Sequence, residues 1–177
     1  MTKDPNTKPE IEAFQKWFDS GQRLQWSDLV RWMQSDEIET LGAVFMLLHE
    51  HADRIETMPP MDMAINFCSH YFRRCLVENP SGDYADSRYT AAYTLESWYK
   101  ALRRDRRVPR KFLRQVREML REVYEQGDED IRTCIVHGAL EHLFEAPEIV
   151  KEFADWKQNP SLRKAYGEAL EWTRGSD

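Results

Sequence analysis

The side chains of this sequence that are equipped for chemistry are five histidines, three cysteines and a run of arginines. A metal site needs ligands that converge on one point. His49 and His51 are two residues apart, so on a helix they point about 200° away from each other. His137 and Glu141 are four residues apart and share a helix face, and His142 follows them. Their spacing matches neither H-E-x-x-H nor H-x-x-E-H, so we expect no metal and no cofactor.

The cysteines predict free thiols, because an odd number in a chain of ordinary domain size is typical of a reducing compartment. Cys68 and Cys75 are seven residues apart on an apolar stripe, as expected for small buried side chains. The chain has no G-x-S-x-G motif, phosphate-binding glycine loop or Rossmann fingerprint. We therefore favour a non-catalytic protein. One alternative is an enzyme or metal protein whose site is assembled from scattered residues such as His70, Cys134, His137 and Glu141.

Residues 100–121 form a basic band, which is the main electrostatic feature of a chain with net charge −6. Such a surface binds nucleic acid by replacing counterions at phosphates. An acidic protein partner, or the acidic C-terminal part of the chain itself, would match the band equally well. Two pairs of residues have the four-residue spacing of ion pairs on a solvated helix face: Arg114 with Glu118, and Arg121 with Glu125. The residues predicted to bind a partner are Arg103, Arg104, Arg106, Arg107, Arg110, Arg114, Arg117 and Arg121.

The first ten residues contain no apolar core of the kind that a signal peptide requires. The longest apolar run, residues 41–48, is too short to cross a bilayer. We therefore expect a cytoplasmic protein of bacterial style with no membrane partner. The oligomeric state stays open.

Apolar side chains recur at spacings of three and four residues through most of the chain, which predicts helices. Asp36 followed by Glu39 resembles a capping box at one helix start. Asp86 or Ser87 is placed to cap another helix, and Asp128 a third that starts just after Gly127. This third helix is apolar on most sides, which is typical of a buried, central position.

The last predicted helix follows Pro160 and carries Leu162, Tyr166, Leu170 and Trp172 as its apolar residues. With short connections throughout, we predict an all-α fold of about nine antiparallel helices. An irregular bundle and a short α-solenoid of the HEAT type both suit this pattern. Residues 1–8 are predicted to form a flexible tail, and residues 9–174 a single helical domain.

The C-terminal third, residues 116–172, carries the run Leu140-Glu141-His142-Leu143 and closes on Trp172. In these features it resembles uncharacterised all-helical bacterial domains, some of which are of immunity-protein type. The resemblance implies a helical fold and an interaction with a partner protein, and it supplies no catalytic residue. We therefore expect a protein-binding module of immunity or adaptor type, with nucleic-acid binding through residues 103–121 as the alternative.

Overall fold

The computed structural model of the chain describes residues 9–175. These residues form nine helices and no β-strand, apart from an isolated bridge between Leu24 and Ile55. The prediction of an all-α fold with about nine helices is thereby confirmed, while the tail predicted for residues 1–8 lies outside the described residues. The helices are α1 (Pro9–Asp19), α2 (Trp26–Met33), α3 (Ile38–Glu50), α4 (Met61–Glu78), α5 (Arg88–Arg104), α6 (Arg110–Gln126), α7 (129–143), α8 (Pro147–Glu152) and α9 (Arg163–Gly175).

The described chain divides into two compact units, and the boundary falls inside α4, between Tyr71 and Phe72. The first unit holds α1 to α3, the first part of α4 and the loop 80–86. The second holds the end of α4, residues 72–79, and everything from Ser87 onwards. The expectation of one domain over residues 9–174 stays a prediction.

Aromatic side chains form much of the core of the first unit. Phe14 on α1 is fully buried and meets Trp32 on α2 edge to face, with ring centroids 5.2 Å apart. Tyr71 on α4 stacks on Phe45 of α3 at 4.8 Å. Gly42 lies so close to the loop that a Cβ atom there would sit 2.4 Å from the carbonyl oxygen of Tyr84. A glycine is therefore required where the loop crosses α3.

The capping box predicted from Asp36 and Glu39 is wrong. The N-cap residue of α3 is Glu37, which makes no side-chain cap bond. The Glu39 carboxylate accepts instead from the backbone N–H of Tyr84 at 2.8 Å and that of Ala85 at 3.4 Å. Glu39 thus bonds to the distant loop and not to the start of its own helix. The spacing of residues 36 and 39 does not reveal this long-range bond.

Helix α7 lies at the centre of the second unit, as its apolar sequence predicted. It packs against α5 and α9, and nine of its fifteen residues are buried. The Asp128 side chain caps it by accepting from the Ile131 N–H at 2.9 Å, which confirms the predicted cap. Ser87 caps α5 in the same way through the Thr90 N–H.

The middle of α7, Ile135–Leu140, is wound as a π-helix between the α-helical segments Glu129–Cys134 and Glu141–Leu143. A π-helical turn holds more residues than an α-helical turn, so it changes the direction in which the following side chains point. Such stretches are rare, and they are frequent at functional sites. His137 lies within this stretch, which draws attention to the surface around it.

None of the helices in the described range combines the length and apolar character needed to cross a bilayer.

Candidate functional site

Three arginines of the basic band surround one carboxylate of the second unit. Glu152 on α8 accepts from Arg103 Nε at 2.9 Å and from Arg117 Nη1 at 3.4 Å, and Arg110 Nη1 lies 3.8 Å away. The Arg103 and Arg117 side chains are only 22% and 19% exposed. These arginines therefore contact the acidic C-terminal part of the chain itself. That contact was one of three possibilities for the band, beside nucleic acid and an acidic partner protein.

The phenol of Tyr99 completes this cluster. It donates to Glu152 Oε2 at 2.6 Å and accepts from Arg117 Nη1 at 3.2 Å. Burial, followed by the bond to the Glu152 carboxylate, raises the pKa of the Tyr99 phenol above its ordinary value. Tyr99 therefore stays protonated and keeps donating its hydrogen bond across the range in which proteins work.

The other predicted partner-binding arginines do not converge. Arg107 pairs with Asp105 at 2.7 Å, and its hydrogen bonds lower the pKa of the Asp105 carboxyl to about 2. Arg121 lies 3.4 Å from Glu125, which confirms that predicted pair. The predicted Arg114–Glu118 pair is wrong, because within the described residues Glu118 pairs with Arg121 instead. Of the eight arginines predicted to bind a partner, Arg104, Arg106 and Arg114 are exposed and make no ion pair with the described residues.

The histidines of α7 flank a buried acid. His137 Nδ1 lies 3.0 Å from Glu141 Oε2, so the predicted shared face is confirmed, and His142 Nε2 lies 3.5 Å from Glu141 Oε1. His142 also bonds to Glu145, and this contact is the main reason why the pKa of the Glu145 carboxyl is lowered. Among residues 9–175, no three side chains of metal-binding type lie close enough together to hold an ion.

Cys134 and His70 are the other two residues considered for a site assembled from scattered positions. Cys134 is buried, and its thiol donates to the Arg88 carbonyl at 3.4 Å. Burial raises the pKa of the Cys134 and Cys68 thiols to about 12, so little of either is in the nucleophilic thiolate form. His70 lies exposed on α4. Within the described residues of the second unit, the Cys134 thiol is bonded to the Arg88 carbonyl and His137 to Glu141, so these two side chains are not bonded to each other.

The second unit contains a cleft formed by α6, α7, α9 and the residues just before α9, here called the α7 cleft. Its volume is about 1080 Å³, and it is open to solvent. The lining mixes charged, hydroxyl and aromatic side chains. Its members are Tyr124, Glu125, Glu129, Arg132, Thr133, Val136, His137, Pro160, Ser161, Lys164, Glu168, Glu171 and Trp172.

Trp172 stands at the edge of this cleft and is 56% exposed. Its ring meets that of His137 edge to face, with centroids 6.2 Å apart. Trp172, one of the apolar residues predicted for the last helix, therefore lies at the surface and not in the core. It lies two residues after Leu170, which turns it about 200° around the helix from that residue.

Comparisons with protein-family models, with curated proteins and with solved structures find no match for this chain. The chemistry of the α7 cleft therefore has to be inferred from its own residues.

Sequence reasoning missed the α7 cleft, although two signals for it are present. The lining residues of α7 recur with helical spacing, at 129, 132, 133, 136 and 137, and those of α9 at 164, 168, 171 and 172. Each set marks one face of a helix. Sequence spacing alone does not say that the two faces border the same cleft, because that depends on how the helices pack.

Proposed function

We propose that this chain is a non-catalytic protein-binding module that receives a partner protein at the α7 cleft. The observation that carries the proposal is Trp172, a large aromatic side chain that is 56% exposed at the edge of the α7 cleft. Tryptophan dominates the energetics of many protein interfaces. An exposed one beside a solvent-open cleft supplies an anchor for a partner.

The composition of the cleft also favours binding over catalysis. Its lining holds no cysteine, and its one histidine is bonded to Glu141 rather than poised beside a nucleophile. The resemblance of residues 116–172 to helical domains of immunity type agrees with a binding role and includes Trp172. We place the protein in a bacterial cytoplasm, because its three cysteines are free and buried, as suits a reducing compartment.

A capture experiment with two matched tryptophan variants tests this proposal. We expect the tagged full-length chain to recover one stoichiometric protein from native cell extract. Trp172→Ala should lose that protein, because it removes the anchor. Trp26→Ala, which removes a tryptophan that is 37% exposed in the first unit, should retain it.

Circular dichroism of both variants checks that they remain folded. Equal recovery by the two variants would contradict the proposed site. An empty capture at native expression and low salt would contradict the protein-binding function itself.

Nucleic-acid binding is the alternative, and one observation favours it. Arg104, Arg106, Arg114 and Lys111 are exposed cations without an ion pair in the described part of the chain. The convergence of Arg103, Arg110 and Arg117 on Glu152 weakens this alternative, because those charges are already partly neutralised. Few cations then remain for contact with phosphates.

A further inference from the structure

The charges that line the α7 cleft are predominantly negative. Four carboxylates, those of Glu125, Glu129, Glu168 and Glu171, face two cations, Arg132 and Lys164. The Ser161 hydroxyl donates to Glu125 at 2.8 Å and is the main cause of a lowered pKa at that carboxyl. Glu125 therefore carries its negative charge throughout the neutral range.

Both cations of the lining are already engaged within the chain. Arg132 donates to the backbone carbonyls of Tyr124 and Glu125 at 3.1 and 3.3 Å, and its guanidinium lies over the Tyr124 ring. Lys164 pairs with Glu168 at 3.5 Å. The Glu168 carboxylate therefore offsets the charge of Lys164, and the two carbonyls fix the orientation of the Arg132 guanidinium.

Two of the carboxylates, in contrast, have no partner among the described side chains. Glu129 and Glu171 are exposed and make neither an ion pair nor a side-chain hydrogen bond in that range. Glu171 directly precedes Trp172. The lining of the cleft therefore includes exposed carboxylates and an aromatic ring, and both kinds of group attract a guanidinium or an ammonium.

We infer that the α7 cleft binds a basic segment of the partner protein, whose arginine or lysine side chains contact the Trp172 ring and the carboxylates of Glu129 and Glu171. A volume of about 1080 Å³ that is open to solvent suits a polypeptide segment better than a small enclosed ligand. This inference rests on the proposed function, because it names the chemistry of the partner at the same site.

A selection from a displayed library of random 12-residue peptides tests the inference on the full-length chain. We expect the peptides whose binding is lost in Trp172→Ala to be enriched in arginine and lysine. Glu129→Lys and Glu171→Lys should each weaken these peptides by about 10-fold or more, because each change replaces attraction by repulsion.

Asp130→Lys is the matched control. Asp130 shares the first turn of α7 with Glu129 but does not line the cleft. Asp130→Lys therefore changes the charge at the helix N-terminus as Glu129→Lys does, but away from the ligand. It should leave the peptide affinity unchanged. Equal weakening by Asp130→Lys and Glu129→Lys would overturn the inference, since the effect would then come from net charge.

Two other outcomes separate this inference from the proposed function. Trp172-dependent peptides that are acidic or uncharged would overturn the basic partner and leave the binding site standing. A selection that yields no Trp172-dependent peptide would overturn both.

Discussion

At the scale of single residues, Glu152 shows what the sequence could predict and what it could not. The concentration of arginines in residues 100–121 is evident from the sequence, as is the acidic character of the C-terminal part. The contact between them is not, because Glu152 lies 49 residues after Arg103 and 35 after Arg117. Only the packing of α8 near α5 and α6 selects this carboxylate among the thirteen acids that follow residue 121.

We predict that Glu152→Ala lowers the free energy of unfolding by about 1–3 kcal/mol, because it leaves partly buried guanidinium groups without their acceptor. Glu118→Ala is the control. Its carboxylate is 49% exposed and pairs with Arg121 alone among the described residues, so its loss should cost less than about 0.5 kcal/mol. Urea unfolding of both variants measures the difference. Equal losses would show that Glu152 is no more than a surface charge.

Trp172 is the residue at which the sequence was misleading. An aromatic side chain near the end of an amphipathic helix is normally assigned to the core, and Leu162 and Tyr166 of the same prediction are indeed buried. The spacing of two residues from Leu170 was the contrary signal. Composition hides this signal, because it does not distinguish a tryptophan that fills a core from one at the edge of a cleft.

At the scale of elements, the helix starts that depend on adjacent residues were predictable, and those that depend on distant ones were not. Asp128 and Ser87 cap the helices that directly follow them. Pro147 occupies the first turn of α8. Glu39 instead bonds to a loop 45 residues away, so the local capping-box pattern failed. The π-helical stretch of α7 likewise has no marker in the sequence that we recognise.

The close crossing of α5 and α7 yields a prediction from two helical glycines. A Cβ atom at Gly138 would lie 2.8 Å from the Cβ of buried Ala92, whereas one at Gly167 would meet nothing within 4 Å. Alanine favours a helix over glycine at both positions. We expect Gly167→Ala to raise the free energy of unfolding by about 0.4–1 kcal/mol and Gly138→Ala to lower it by about 1–3 kcal/mol.

The urea midpoints of the two variants provide the measurement. If Gly138→Ala stabilises the chain as much as Gly167→Ala does, the two helices do not approach each other as closely as described.

At the scale of the whole molecule, the net charge of −6 conceals two surfaces of different character within the second unit. The basic band is partly neutralised by Glu152, whereas the α7 cleft keeps carboxylates beside an exposed tryptophan. The band is evident in the sequence because its charges are clustered within residues 100–121. The residues of the cleft come from three helices and from residues 160 and 161 before the last helix, so their association emerges only in the fold.

Hydrogen exchange on the full-length chain, with and without the protein recovered by capture, is the most direct test of the central claim that a partner docks at the α7 cleft. We expect slower exchange in peptides that cover residues 124–137 and 160–172, with little change in the first unit. Protection confined to residues 103–121, or to the first unit, would contradict it.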